Sequence, residues 1–336
     1  MKYIRVNIDR EKNEIIVKNG GKGIPVKIHK EHNIYVPELI FGNLLTSSNY
    51  DDNIKKVTGG RNGYGAKLTN IFSKKFIVET VDSKRKKYYK QIFSNNMLEK
   101  TEPIIEKSSE EDYTSITFEP DLEKFKMTEL DDDIISLFQK RVYDMAGVTP
   151  KTVSVYYNNK KLNIKNFESY IKMFLESSKE EDEQFPPIVF EQPNERWEIG
   201  FSLSESQFQQ VSFVNSINTT KGGTHVNYVC DKIISKILEI LQKKNKDLTI
   251  RPQHVKQHIW IFVNSLIENP AFNSQTKETL TTKKEEFGSN FEFSDNFIKN
   301  VLKSGITERC LRYAKTREEE KCLRKINEKI VKQQDY

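Results

Sequence analysis

The amino-acid sequence predicts an α+β protein in two parts. A mixed, mostly antiparallel sheet with helices comes first. A strand–helix–strand (βαβ) domain follows, ending in a C-terminal helix. Three observations predict this. The first half alternates short β-rich runs with turn residues and only a few helical stretches. The second half carries one long amphipathic run, residues 226–243, between two β-rich runs. A chain of 336 residues is also long enough for about two domains.

Taken in order, residues 3–9 and 14–18 are β-rich, and Asp9-Arg10-Glu11-Lys12-Asn13 between them is a hairpin turn. Asn19-Gly20-Gly21-Lys22-Gly23 follows as a glycine cluster, for which a tight turn is the plain reading. Residues 36–45 form a helix with Pro37 in its first turn and apolar residues nearly all round, which predicts burial. Residues 76–81, 86–93 and 114–119 continue an antiparallel series, and the acidic residues 106–112 form an exposed loop. Residues 131–147 are helical, and residues 153–157 and 161–162 flank the turn Asn158-Asn159. A short helix spans 166–175, and residues 177–184 are an acidic loop. The domain boundary falls just before that helix, giving domains 1–163 and 164–336. Strands are expected at 188–191, 197–203, 210–214 and 255–266. On the helix 226–243, Val229, Ile233, Ile237 and Ile240 share a face. Strand, helix and strand there predict a right-handed βαβ unit. Residues 269–278 are a polar loop, and the stretch from 297 onward is charged and largely helical.

Composition excludes several classes. An aromatic fraction of 11%, with 20 Phe, supplies a real core. A net charge of +6 permits a nucleic-acid partner without requiring one, because many lysines serve only as solvated surface. The three cysteines, Cys230, Cys310 and Cys322, form no CxxC pair. No zinc site or disulfide framework is expected, and an intracellular reducing compartment fits. No apolar run approaches the 18 residues of a membrane span, and the N-terminus lacks a signal-peptide layout. The start looks like an element already under way, so the chain is expected to be cut from a longer protein.

The stretch Val57-Thr58-Gly59-Gly60-Arg61-Asn62-Gly63-Tyr64-Gly65-Ala66-Lys67 concentrates four of the 14 glycines within seven residues. Glycine allows positive φ and close backbone approach. A glycine loop opening into a helix offers unpaired N–H groups and the positive end of a helix dipole, which suits phosphate. The spacing is neither a Walker A nor a Rossmann fingerprint. On pattern alone, a phosphate-binding loop and a flexible surface loop both remain open.

Four pieces then stand together: Asn-Gly-Gly-Lys-Gly-Ile-Pro, Leu-Leu-Thr-Ser-Ser-Asn-Tyr-Asp, Gly-Gly-Arg-Asn-Gly-Tyr-Gly-Ala-Lys and Asn-Ser-Gln-Thr-Lys-Glu. In this order they closely resemble the ATPase region of the eukaryotic DNA topoisomerase II family, within the gyrase, chaperone, histidine-kinase and mismatch-repair (GHKL) ATPase superfamily. Ser-Phe-Val-Asn-Ser-Ile and Lys-Gly-Gly-Thr-His resemble that family's transducer domain. The resemblance covers nearly the whole chain. It implies a GHKL-type α/β sandwich followed by a ribosomal-S5-like βαβ transducer. It also implies ATP with Mg²⁺ as cofactors, double-stranded DNA as partner, a homodimer through the ATPase gate and a nuclear location.

The same resemblance assigns roles. Asn19 stands where the family contacts adenine, with Gly20 departing from the commoner second Asn. Ser47, Ser48 and Asn49 match the nucleotide-contacting hydroxyl loop. Gly60, Arg61, Asn62, Gly63, Tyr64, Gly65, Ala66 and Lys67 match the lid around the triphosphate, with Lys67 adding charge. Gln275 and Lys277 match the transducer loop, from which Lys277 reaches the γ-phosphate; by composition alone it is a solvated lysine on a polar loop. The family's general-base Glu and its Mg²⁺-holding Asn lie on a helix upstream of Tyr3, with a swapped arm before it. The DNA-cleaving Tyr and acidic metal cluster lie beyond the C-terminal end. Residues 1–336 are therefore expected to lack turnover by themselves. The family reading is the ATP-binding, gate-closing part of a type II topoisomerase, an ATP-dependent isomerase that passes one duplex through another. Two alternatives are another GHKL ATPase and a non-hydrolysing DNA-binding or scaffold module. Lys243, Lys244 and Lys246 close the long helix in a basic tip. That tip suits duplex phosphates or, equally, a solvated helix end.

Overall fold

The computed structural model describes residues 1–44, 46, 53–60, 63–178, 186–205, 207–244 and 250–334. The chain divides into two compact units, Met1–Tyr170 and Ile171–Tyr336.

Unit 1 is built on a nine-stranded sheet. Its strands are β1 (Tyr3–Asp9), β2 (Glu14–Gly20), β3 (Ser73–Asp82), β4 (Lys87–Ser94), β5 (Glu99–Lys100), β6 (Ile104–Lys107), β7 (Tyr113–Pro120), β8 (Ser154–Tyr157) and β9 (Lys160–Lys161). The order is β5-β4-β3-β7-β2-β1-β8-β9, with β6 also on β4. Every described pair is antiparallel except β1 with β8. Residues opposite one another share a face. The register therefore puts Val17, Ile116, Val78 and Gln91 in one row, with Ile15, Phe118, Phe76 and Phe93 in the next. This is the apolar face. The opposite face carries Arg5 between the rings of Tyr3 and Tyr156, Lys18 over Tyr113, and Glu79 with Lys90 and Tyr88. An antiparallel sheet tolerates one such watered face.

The helices are α1 (Val36–Gly42), α2 (Gly65–Ile71) and α3 (Asp132–Val148). Phe41 of α1 packs with Val26, Phe76, Val78, Tyr89 and Phe93. The α1 helix stops at Gly42, short of the expected 45, because Asn43 is extended and the Thr46 hydroxyl donates to the carbonyls of Leu39 and Asn43. Asp131 caps α3, its side chain accepting from Ile134 N at 2.9 Å, with Asp132 and Asp133 favourably placed in the first turn. The turn Asn158-Asn159 has φ of 45° and 63°, the left-handed region that a tight hairpin demands and Asn tolerates. One expectation is corrected. Residues 104–107, partly assigned to an acidic loop, form β6, because their backbone finds an edge on β4.

The helix α4 (Phe167–Ser177) runs across the division between the two compact units. Unit 2 has a five-stranded sheet: β10 (Val189–Asn194), β11 (Trp197–Leu203), β12 (Gln209–Val214), β13 (Ile217–Asn218) and β14 (Ile259–Ser265), in the order β10-β11-β14-β12-β13. β12 and β14 are parallel neighbours joined through α5 (Thr224–Lys244), which is the predicted strand–helix–strand unit. Val226, Val229, Ile233, Ile237 and Leu241 of α5 are buried with Trp197, Ile199, Phe201, Ile261 and Val263. Leu241, not Ile240, completes the buried ridge, because the i, i+4 step from Ile237 lands there. On the other face, Phe174 of α4 meets Trp260 and Phe262 edge-on.

The expected strand 255–266 is also corrected. It begins at Ile259, and Pro252–Lys256 is a short helix, α6. Pro252 at its start fixes a helical φ, and His254 Nδ1 accepts from the Arg251 N–H. The C-terminal part is helical as expected: α7 (Asp295–Val301), a π turn at Leu302–Ile306 with Gly305 at φ 97°, and α8 (Thr307–Gln334). Cys230, Cys310 and Cys322 are all free, and burial pushes the thiols of the first two up to about 12. No helix among the described residues is long and apolar enough to cross a membrane.

Candidate nucleotide site and sensor loop

In unit 1 the glycine cluster leaves β2 from the middle of the sheet. Asn19 pairs with Ile4 on β1 and Thr114 on β7 and is half-buried. Thr80 of β3 lies in the same row, paired with Thr114. The chain after the cluster is strapped to the end of β3. Ile24 N–H donates to Thr80 Oγ1 at 3.0 Å, and Val26 N–H donates to Asp82 Oδ2 at 2.9 Å. Gly23 makes the strap possible, since a Cβ there would overlap the Val81 carbonyl. Burial alone would raise the Asp82 carboxyl. Hydrogen bonds from the Arg85 side chain, Val26 N–H and Arg85 N–H outweigh it and hold the group below the usual carboxylate range.

The glycine-rich stretch opens into α2. Gly63 has φ 68°, and no described atom lies within 4 Å of where a Cβ would sit on Gly60 or Gly65. Tyr64 is half-buried and Ala66 exposed. The N–H groups of a first helical turn lack intrahelical acceptors and suit an anion. Lys67 is 2% exposed, and its ammonium donates to the Thr46 carbonyl at 2.9 Å. Burial lowers its pKa. Asn70, one turn on, donates to the Phe41 carbonyl at 3.1 Å, and its own buried Oδ1 has no partner among the described residues. Together Lys67 and Asn70 tie α2 to α1 and to the foot of the hydroxyl loop. Ser47, Ser48, Asn49, Arg61 and Asn62 lie outside the described residues.

Gln275 and Lys277 belong to unit 2. They sit on a loop running from Ala271 to Thr282, with Gln275 exposed and Lys277 half-buried. Lys277 is in the left-handed region at φ 58°, its N–H bonded to the Ser274 carbonyl at 3.1 Å, and burial lowers its pKa. The loop packs on Lys221-Gly222-Gly223-Thr224, where α5 begins. His225 is fully buried there, with Nε2 3.1 Å from Thr219 Oγ1, which is 2.6 Å from Ser212 Oγ. Burial pushes its pKa down to about 3, so the imidazole is neutral and works as a packing group. Composition gave no signal for this cluster beyond the Gly-Gly-Thr-His sequence itself. At the far end of α5, Lys243 pairs with Glu239 at 2.8 Å in an exposed i, i+4 bridge. Lys246 lies outside the described residues, as does the Lys244 side chain.

One further cluster lies on the loop before α1. Ligand atoms of His29, Glu31 and His32 lie within 4.8 Å of one another there. The histidines three apart in one turn are its sequence signal. Glu31 and His32 are exposed, and surface groups of this kind are common without a metal.

Comparison with known proteins adds three findings. A family model described as DNA gyrase B matches residues 166–329. DNA topoisomerase 2 of Arabidopsis thaliana is 55% identical over 316 residues, covering 94% of this chain and 22% of that protein. Human DNA topoisomerase 2-alpha is 52% identical, over 94% of this chain and 21% of that protein. The chain therefore spans about a fifth of the length of the curated relatives it matches. Among solved structures, the ATPase region of Saccharomyces cerevisiae topoisomerase II superposes with a TM-score of 0.86 at 50% identity, covering 93% of this chain and 80% of that one. The ATPase and transducer domains of the Balamuthia mandrillaris enzyme give 0.88 at 45% identity, covering 95% and 80%.

Proposed function

Because the chain belongs to the type II DNA topoisomerase family, in its ATPase region, we propose that it is the ATP-binding, gate-closing part of such an enzyme. The parent protein passes one DNA duplex through a transient double-strand break in another, as a nuclear homodimer driven by ATP binding and hydrolysis. Residues 1–163 are assigned to the ATPase domain and 164–336 to the transducer. The observation that carries the reading is the glycine loop of unit 1. It joins an open backbone at Gly60 and Gly65 to a left-handed Gly63 directly before a helix, with Asn19 on the sheet of the same unit.

In this reading Asn19 contacts adenine, Ser47, Ser48 and Asn49 the nucleotide's polar groups, and residues 60–67 the triphosphate. Gln275 and Lys277 sense the γ-phosphate, where an ammonium offsets charge that grows as the phosphoryl group transfers. The lowered pKa of Lys67 and Lys277 fits groups kept from bulk water, where a cation–phosphate contact is strongest. The charged group described at the glycine loop is the Lys67 ammonium, beside backbone N–H groups. These suit anionic oxygens and do not fit Mg²⁺.

The test is ATP turnover by the full-length protein with and without duplex DNA, together with Lys277→Ala. Turnover should rise with DNA. Lys277→Ala should lower kcat on the order of 10²-fold, with nucleotide affinity nearly unchanged, since the charge acts mainly in the transition state. DNA-independent turnover would favour another ATPase of the superfamily. No turnover at all would favour a binding module.

A further inference from the structure

The loop that carries Lys277 is closed at its neck and fastened to α5. Thr281 N–H donates to the Ala271 carbonyl at 2.9 Å, Asn273 N–H donates to Thr279 O at 3.2 Å, and Phe272 pairs antiparallel with Leu280. Ala271 N–H donates to Thr282 Oγ1 at 2.8 Å. This closed neck is then joined to the turn that starts α5. Leu280 N–H donates to the Gly222 carbonyl at 3.1 Å, and Thr224 N–H donates to the Leu280 carbonyl at 3.2 Å. Lys221 N–H donates to Glu278 O at 3.0 Å, and the Thr224 hydroxyl donates to Thr282 O at 2.6 Å.

Gly223 sits at the centre of the joint with φ 139°, a conformation L side chains rarely adopt. A Cβ there would overlap the Leu280 carbonyl oxygen and lie 2.6 Å from its nitrogen and 2.9 Å from its Cα. Backbone cannot give way as a side-chain tip can. Any residue larger than glycine must push the neck off α5. Leu280 itself is 1% exposed, in the unit 2 core, so the neck is held from both sides.

Lys277 holds a left-handed backbone conformation, which is unfavourable for a non-glycine residue and persists only where the surroundings impose it. Only two residues separate Lys277 from Leu280, so the direction of its side chain depends on where the neck is anchored. We infer that Gly223 and Thr224 are positioning residues for ATP turnover, acting through Lys277 by clamping the neck of its loop against the start of α5. The inference rests on the reading of Lys277 given above. It adds that the Gly-Gly-Thr segment, bonded to the neck at Leu280 and Thr282, sets the tip's aim.

The experiment uses the full-length protein with Thr224→Val, Gly223→Ala, Lys277→Ala and the Thr224→Val/Lys277→Ala double variant. Thr224→Val removes one hydroxyl bond and keeps the shape, so it tests the idea even if Gly223→Ala does not fold. The readouts are kcat, KM and calorimetric affinity for a non-hydrolysable ATP analogue. Thr224→Val should lower kcat by about tenfold while analogue affinity changes less than about twofold, since a displacement near 1 Å can reduce rate by up to about 10². A residue acting through Lys277 adds nothing once Lys277 is gone, so the double variant should be no slower than Lys277→Ala. Unchanged kcat in Thr224→Val beside a slow Lys277→Ala would overturn this inference alone, as would losses that multiply in the double variant. Wild-type turnover in Lys277→Ala would overturn the reading of Lys277, and this inference with it.

Discussion

Gly63 and Gly65 are two residues apart and differ in what they require. Gly63 holds φ 68°, where a β-branched side chain is a true outlier. Gly65 has a helical backbone and no described atom near its missing Cβ. Gly63→Val should therefore abolish nucleotide binding and also strain the loop. Gly65→Val should leave thermal stability close to wild type and still weaken binding, because no described atom meets its side chain whereas an approaching phosphate would. Calorimetric titration beside a melting curve separates the two effects, and wild-type affinity in both variants would overturn the phosphate-loop reading. Asp82 makes a different kind of prediction. Its carboxylate accepts the Val26 N–H and the Arg85 guanidinium in a nearly buried position. Asp82→Ala should cost about 1–3 kcal/mol in urea unfolding at pH 7 by orphaning those donors. A carboxylate whose pKa is depressed on folding stabilises above its unfolded pKa and loses that contribution as pH falls through the folded value. The gap between variant and wild type should shrink below about pH 4.

The element of most consequence is α5. Its 21 residues extend about 30 Å. They run from the Gly222–Gly223 joint to the basic tip, with one ridge buried along the sheet. The Lys243–Glu239 bridge at the tip is exposed and contributes little to stability. Replacing Lys243, Lys244 and Lys246 together by Ala should accordingly leave the melting temperature almost unchanged. If the tip touches duplex phosphates, the same change should reduce the slope of log affinity against log salt by about 0.9 per lost contact. Filter binding or fluorescence anisotropy over a salt series checks this, and an unaltered slope would leave the tip as a solvated helix end.

At the scale of the whole molecule, each unit has its own sheet and its own core, and each carries part of the proposed ATP chemistry. Unit 1 has the glycine loop, and unit 2 has the loop of Gln275 and Lys277. The described residues of the glycine loop offer N–H donors and the Lys67 ammonium, and the carboxylate beside Lys277 on its loop, Glu278, is paired with Lys221. Expressed by itself, the 336-residue chain should release phosphate from ATP at least about 10²-fold more slowly than the full-length protein, the usual effect of lacking a general base. Equal rates in a phosphate-release assay would place the base within these residues.

Periodicity and turn chemistry were enough for the α+β class, for the strand–helix–strand order of the second half and for most strands. Alternation and glycine placement are local properties that tertiary packing here reinforces. The four motifs that point to the family are likewise written in linear order, and solved relatives at 45–50% identity share the fold. Local signals failed where a distant partner decides. Residues 104–107 became a strand because β4 offered an edge. Val255 is a different case: Pro252, a local helix-start signal, sets it apart from the apolar strand that begins at Ile259. Lys67 and Lys277 are lysines in polar stretches like dozens of others. Burial of one against Thr46, and the left-handed tip that holds the other, exist only once the chain is folded. The Gly223 joint is the clearest case. A glycine pair in a sequence says only that the backbone is free, whereas the Leu280 backbone lying where a Cβ would be says why it must be. That contact spans more than fifty residues of chain, a distance over which propensity carries no information.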